Sequence, residues 1–284
     1  MGKDTLWDRL LSPIISSFID KKELERLSKS IDWEEGCNRL AQPDLVYPEY
    51  YSSQNFHGIT GGYLNSSAPV TYDPITQYVL PPNETWVREA AIEAIGGTPR
   101  RILDLGCGTG STTLMLKQAF PRAQVTGLDL SPYMLVIAEY KAQKAGIEVQ
   151  WRHGNAQKTA WKAESFDLVT ASLLFHETPP EVSKSILREC FRLLIPGGQV
   201  VILDGNQQTL RHTSWLTEVF EEPYIKDYAT GSVDAWLGAA GFETVHSEDY
   251  WFIHQITCAL KPLAVVNAYI PKRNLTDLGA APAF

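Results

Sequence analysis

The stretch Ile102-Leu103-Asp104-Leu105-Gly106-Cys107-Gly108-Thr109-Gly110 decides how this chain folds. An apolar run broken by a single carboxylate suits a buried strand, and the glycines that follow suit a tight strand-to-helix turn. Glycine in such a turn lets a ligand approach the backbone beside a helix N-terminus. A dinucleotide fingerprint would need GxGxxG or GxGxxA. The spacing here is GxGxG, because Ser111 occupies the third position counted from Gly106, and the count from Gly108 also fails. Asp104 points the same way: a carboxylate beside the turn repels a pyrophosphate but attracts an ammonium group. A nucleoside carrying an amino acid end fits this turn better than NAD.

Outward from the turn the pattern is regular. A helix is expected from Ser111 to Phe120, a strand over Val125–Leu130, and a helix from Pro132 to Ala145 closed by Gly146. Further strands read at Glu148–His153, Phe166–Ala171 and Gln199–Leu203, with a helix from Pro180 to Leu194 between the last two. Upstream, a helical run from Trp86 to Ile95 stops at Gly96-Gly97. After a long connection over 205–230 comes a helix at Val233–Ala240, then strand-like Phe242–Glu248 and Tyr250–Leu260, joined tightly enough for an antiparallel hairpin. Strands alternating with helices imply parallel pairing through right-handed crossovers, hence a three-layer α/β sandwich.

The N-terminal part has a different texture. Residues 1–30 read as helix, with Trp7, Leu10, Leu11, Ile14, Ile15 and Phe18 forming one apolar stripe that Pro13 should bend. Nearly balanced charges weaken a membrane-surface role, so the stripe should pack on its own domain or on a second subunit. Residues 41–84 interleave Tyr47, Tyr50, Tyr51, Phe56, His57, Tyr63 and Tyr72 with Gly and Pro, following neither period. That reads as a loop-rich segment able to close a pocket. The expected organisation is therefore an extension over 1–84, a core over 85–262 and a tail over 263–284.

Composition narrows the partners. With 25 Lys+Arg against 33 Asp+Glu the formal charge is −8, and no basic patch exceeds Arg100-Arg101, so nucleic acid is excluded as substrate. No run approaches the ~18 apolar residues of a spanning helix. The four cysteines, Cys37, Cys107, Cys190 and Cys258, form no CxxC pair, which argues against zinc and against a disulfide framework, and no metal is expected. The N-terminus lacks the pattern of a secretory signal, and the expected location is the cytoplasm.

ILDLGCGTG, TGLDLSPYML, HGNAQ, SFDLVTASLLFHE and LLIPGGQVVILD, in this order and spacing, resemble the successive motifs of the class I S-adenosylmethionine-dependent methyltransferases. Within them they are similar to the ubiquinone/menaquinone C-methyltransferase branch, over roughly residues 85–260. The resemblance implies a Rossmann-like, seven-stranded, mostly parallel sheet with a C-terminal antiparallel hairpin, and S-adenosylmethionine as cofactor. It implies that Gly106, Cys107, Gly108 and Gly110 hold the methionine part, with Asp104 near its amino group. Asp129 would take the ribose hydroxyls, and Leu130 and Met134 would pack on adenine. Asn155 stands where the family commonly has Asp, and would accept from the adenine amine beside Ala156. Ser172 would border the cofactor after the fourth strand.

The acceptor is read from the residues alone. Tyr50, Tyr51, Phe56, Tyr63, Trp215, Tyr224 and Tyr228 lie in the segments that would wall a pocket, and such rings suit an apolar or planar small molecule. Methylation of a hydroxyl would need a base, and three histidines are candidates. His176 leaves the fourth strand at its ligand-binding edge, His57 lies in the aromatic segment, and His212 lies in the long connection. The expected activity is methyl transfer to carbon or oxygen of such a molecule. Two alternatives stand beside it: an NAD(P)-dependent oxidoreductase, which stabilisation by NADH alone would reveal, and a non-catalytic cofactor-binding module, which would bind cofactor without labelling any acceptor.

Overall fold

The computed structural model describes residues 20–57, 59, 61–79, 83–219 and 222–263. The apolar stripe over 7–18 and the tail beyond residue 263 lie outside the described residues, and with them the expected oligomer contact.

Seven strands form one sheet: β1 (Arg101–Leu105), β2 (Gln124–Asp129), β3 (Gln150–His153), β4 (Phe166–Ser172), β5 (Leu194–Gly205), β6 (Glu243–Tyr250) and β7 (His254–Leu260). Their spatial order is β3-β2-β1-β4-β5-β7-β6. The first five are parallel, and β7 runs antiparallel between β5 and β6, so the mostly parallel sheet and its terminal hairpin are as the sequence implied. Leu103, Leu105, Val169, Ala171, Val200 and Ile202 are all buried, which explains why the central strands read as near-continuous apolar runs.

In chain order the helices are α1 (Lys21–Ser30), α2 (Trp33–Leu40), α3 (Glu49–Ser52), α4 (Ser67–Val79), α5 (Glu84–Glu93), α6 (Ser111–Ala119), α7 (Pro132–Ala145), α8 (Pro180–Leu193), α9 (Gln207–His212), α10 (Ser214–Val219), α11 (Ile225–Thr230) and α12 (Val233–Ala240). The caps of α7 follow from the sequence. Ser131 Oγ accepts from Met134 N, Pro132 fills the first turn, and Gly146 closes the helix at φ +66°. Within the connection over 205–230, the described residues include three short helices, α9, α10 and α11.

The largest departure is α4, in the segment expected to be loops. Pro74 lies inside it and removes one ladder hydrogen bond. Asn65 Oδ1 nevertheless accepts from Ser67 N and Ala68 N at 3.0 and 3.1 Å, and Ala68 and Val70 are buried. Capping and burial outweigh the breaker.

Polar contacts, buried or part-buried, fasten the segment before residue 84 to the sheet and its helices. His153 Nδ1 accepts from Gln42 N at 2.9 Å while its Nε2 donates to Leu130 O at 2.9 Å, a neutral tautomer consistent with a pKa lowered by burial. Ser131 Oγ donates to Tyr63 O at 2.6 Å. Lys141 Nζ bonds Asp73 Oδ2 at 2.5 Å and Ser111 Oγ at 2.9 Å, and Asp73 also accepts from Thr109 Oγ1, so α4 is latched to the glycine turn. These contacts place the aromatic segment over the C-terminal ends of β1, β2 and β4. The strand order reverses between β1 and β4, which is where ligands bind in open α/β sheets.

Candidate active site

A cavity opens at that switch point, with ≈ 860 Å³ of space counted out through its mouth into solvent. Its floor is the glycine turn. Gly106 stands at φ +61°, a conformation that L side chains rarely adopt, and a Cβ on it would sit 2.7 Å from Leu174 Cδ1 and force that side chain to move. Gly108 also has positive φ, but nothing lies within 4 Å of where its Cβ would be. The space above it belongs to the cavity.

Asp129 closes β2 and points its buried carboxylate at this space. Oδ2 accepts from Gly108 N and Oδ1 from Ser131 N, each at 2.8 Å, so both oxygens keep a free lone pair. Burial raises its pKa to about 6, with the two backbone N–H groups opposing and the Glu177 and Asp104 charges assisting. Asp104 is buried at the back of the cavity, where Thr113 Oγ1 and Thr170 Oγ1 donate to its two oxygens at 2.6 and 2.8 Å. Its pKa is raised by burial, while the two hydroxyls and Arg88 counteract part of the shift. The Cys107 thiol is pushed well up by burial and faces the packing around Trp151, which marks it as a packing group, not a nucleophile.

Of the eleven residues expected at the cofactor, Asp104, Gly106, Cys107, Gly108, Asp129, Leu130, Met134, Ala156 and Ser172 line the cavity. Gly110 and Asn155 do not. Gly110 is a packing glycine at φ +79°, whose Cβ would lie 2.7 Å from Trp151 Cη2. Asn155 Oδ1 accepts from Gln157 N at 2.8 Å, so its amide builds a turn that presents Gly154 and Ala156 to the cavity.

Aromatic side chains make the opposite wall. Tyr50, Tyr51, Tyr63 and Tyr72 line it, and Phe56 stacks behind Tyr63 at 5.2 Å. Tyr224 braces the wall, edge-on to Tyr50 and donating to Tyr50 O at 3.1 Å. Tyr228 is fully buried under the sheet edge, donating to Gly205 O, and Trp215 is exposed on α10, so neither lines the cavity. Tyr51 lines the cavity, and its buried hydroxyl has no hydrogen-bond partner. Leu173, at φ +58°, holds a rare non-glycine conformation on the same wall.

The three histidines separate. His176 lies behind the wall with Nδ1 2.6 Å from Asp204 Oδ1. Burial opposes its charge, but Asp204, aided by Glu177 and Glu222, raises its pKa to about 9, so it holds its proton at neutral pH. His57 borders the wall between two carboxylates, its Nδ1 2.8 Å from Glu222 Oε1 and its Nε2 3.3 Å from Glu177 Oε1. Burial opposes charge there too, and the two glutamates outweigh it, lifting the pKa well above the ordinary histidine value. His212 is exposed at the end of α9 and outside the lining.

Four residues were not among the cofactor, acceptor or base candidates read from sequence. Tyr72 lies on the unexpected helix α4. Arg88 on α5 lines the cavity, with Nε 2.9 Å from Glu84 Oε1 and its Nη1 bonded to Thr112 Oγ1. The spacing of Glu84 and Arg88 by one helical turn was the available signal. Glu177 accepts from the Tyr63 hydroxyl at 2.6 Å and lines the cavity, next in sequence to the histidine that does not. Glu222 carried no signal: only the tertiary fold brings it to His57.

A buried carboxylate with free lone pairs, an open glycine cradle and an unpartnered tyrosine hydroxyl suit a ligand with a diol, a flexible polar chain and a flat ring, and S-adenosylmethionine has these parts. Residues 102–198 match a family model described as a methyltransferase domain. A demethylmenaquinone methyltransferase of Thermus thermophilus is 40% identical over 119 residues, which are 42% of this chain and 53% of that one. One from Listeria welshimeri is 35% identical over 146 residues, 48% of this chain and 60% of the relative. The chain thus spans about half the length of the curated relatives it matches. Among solved structures, human N-acetylserotonin methyltransferase in complex with S-adenosylmethionine superposes with TM-score 0.56 at 18% identity, over 76% of this chain and 60% of that one. Phosphoethanolamine N-methyltransferase 2 of Haemonchus contortus, also with S-adenosylmethionine, gives 0.51 at 16% identity, over 70% and 57%. At such identities these two speak for the fold. The methyltransferase-domain match over residues 102–198, the motifs and the sheet order make this chain similar to the class I S-adenosylmethionine-dependent methyltransferases, and among the curated relatives to demethylmenaquinone methyltransferases.

Proposed function

We propose that this chain transfers the methyl group of S-adenosylmethionine to a carbon or oxygen of a planar, largely apolar small molecule. One observation carries the reading: a single cavity joins the Asp104–Asp129–Gly108 floor to a wall of four tyrosines. When bound, the cofactor supplies a sulfonium methyl group as electrophile. The chain's own work is binding, alignment and exclusion of water. Asp129 accepts from the ribose hydroxyls, Arg88 pairs with the carboxylate of the amino acid end, and Met134 and Ala156 enclose the base. Tyr50, Tyr51, Tyr63 and Tyr72 sandwich the acceptor ring, and Glu177 offers an oxygen to a hydroxyl on it. The relatives' names point to a fused quinol as the acceptor class, and the aromatic wall suits it.

The test incubates the protein with methyl-labelled S-adenosylmethionine and reduced naphthoquinols lacking a ring methyl, reading label in the organic phase. Labelled product that requires both protein and quinol supports the assignment. Tight binding of S-adenosylhomocysteine with no labelled acceptor, in these quinols or in a small-molecule extract, overturns it.

Asp129 also sets a pH dependence. Hydrogen bonds from ribose hydroxyls favour the carboxylate, so binding is strongest where it is already ionised. Below the free-protein value of about 6 the ligand must first displace a proton. Affinity for S-adenosylhomocysteine should therefore rise about tenfold from pH 5 to pH 7 and then level. Calorimetric titrations in buffers of different ionisation enthalpy check this, since proton release should be largest below pH 6 and fade out above pH 7, where affinity levels.

A further inference from the structure

His57, Glu177 and Glu222 converge at the edge of the cavity from three separate segments: the aromatic extension, the turn after β4 and the residues before α11. One ligand atom from each lies within 4.8 Å of the other two. The cluster is no ordinary surface group of acids. The Glu222 side chain is 0% exposed, and its Oε2 has no hydrogen-bond partner. A carboxylate oxygen removed from water and left unbound is costly, and it is stabilised by a cation more readily than by anything else. Two carboxylates here face one imidazole, and the Tyr63 hydroxyl satisfies Glu177 but not Glu222. A histidine held between two glutamates, with no further ligand, would leave the Glu222 oxygen unexplained.

We propose that His57, Glu177 and Glu222 form a binding site for one divalent transition-metal ion. The donor set is one imidazole nitrogen and two carboxylates, which suits zinc or manganese. Calcium prefers six to eight oxygens and magnesium retains its waters, so both fit an imidazole-containing triad poorly. Three protein ligands leave at least one coordination position open, the arrangement of reactive rather than purely structural sites. Glu177 and its partner Tyr63 line the cavity, so that position adjoins the acceptor's side of it. The ion would act there as a Lewis acid on an enol or phenol oxygen of the acceptor. This use rests on the methyl-transfer reading, whereas metal binding itself does not. Sequence spacing pointed to no metal because the outer ligands are 165 residues apart and no short motif marks them.

The test uses the full chain, stripped with chelator and dialysed against zinc chloride or manganese chloride. Metal is counted by elemental analysis, and affinity is measured by calorimetry. S-adenosylhomocysteine binding on the same samples reports whether each protein is folded. The wild type should retain one equivalent of metal. Glu222→Gln and His57→Gln should each weaken binding at least about tenfold while still binding S-adenosylhomocysteine. His246→Ala, at an exposed histidine paired with Glu248, should change nothing. A wild type that binds S-adenosylhomocysteine but takes up no stoichiometric metal overturns the site and leaves the methyltransferase reading standing. So does metal uptake that neither substitution weakens. Metal uptake without S-adenosylhomocysteine binding leaves the site and overturns the methyltransferase reading instead.

Discussion

Asp129→Ala should weaken S-adenosylhomocysteine binding by roughly 100-fold or more, the largest loss expected from any single cofactor contact. Both carboxylate oxygens are already oriented by backbone donors, so the free lone pairs are held in place before the ligand arrives. Hydrogen bonds to a charged group contribute about 1.5–3 kcal/mol each, and two ribose hydroxyls make two of them. The substitution also strands the N–H groups of Gly108 and Ser131, which loosens the glycine turn itself. Asn155→Ala is the comparator. Its side chain is not among those lining the cavity, and its Oδ1 accepts from Gln157 N, so it should cost less than about tenfold. Equal losses in the two variants would show that Asn155 reaches the ligand and that Asp129 does not dominate. Calorimetry at pH 7.5, where the wild-type carboxyl is ionised, gives the cleanest comparison.

The contrast between those residues shows how far sequence reaches. The places of Asp129 and the glycine turn beside the cavity were legible because they follow from local position: the end of a parallel strand, and the turn that follows β1. Asn155 was placed by analogy with a family position, and its side-chain oxygen accepts within a turn whose flanking residues, Gly154 and Ala156, line the cavity. The sheet was legible for a similar reason, since each strand announces itself by its own apolar run. Helix α4 was not. Pro74 breaks the local pattern, and what restores the helix is the Asn65 cap together with burial of Ala68 and Val70, Ala68 in a cluster that includes Met134 of α7.

The acid–base groups were the least legible part. Sequence can place a histidine near an edge, but it cannot say which carboxylate will face it. Asp204 turns His176 into a held cation, and Glu177 with Glu222 claims His57. Each pairing joins segments that only the folded sheet brings together. Glu177 lines the cavity and its neighbour His176 does not, so the turn was legible as a place near the cavity while the side chain that faces it was not.

Arg88→Met should produce the largest change in stability. Its guanidinium is buried, paired with Glu84 and bonded to Thr112, and Glu84 is buried with it. The pair holds Arg88 charged and lowers the Glu84 pKa, although burial opposes both. Removing one member leaves the other charged and unpaired out of water, which costs about 3–5 kcal/mol. For a chain of this size that lowers Tm by roughly 10 °C. Glu84→Gln combined with Arg88→Met removes both charges, and should recover most of the loss because replacing a whole buried pair is often close to neutral. Affinity should not follow stability. If Arg88 binds the carboxylate of the cofactor, the double variant regains its Tm yet remains at least about tenfold weaker for S-adenosylhomocysteine, by the loss of one charge-assisted hydrogen bond. Recovery of both quantities together would make Arg88 a structural partner of Glu84 alone, and the ligand carboxylate would then have to be held by the backbone at the N-terminus of α6.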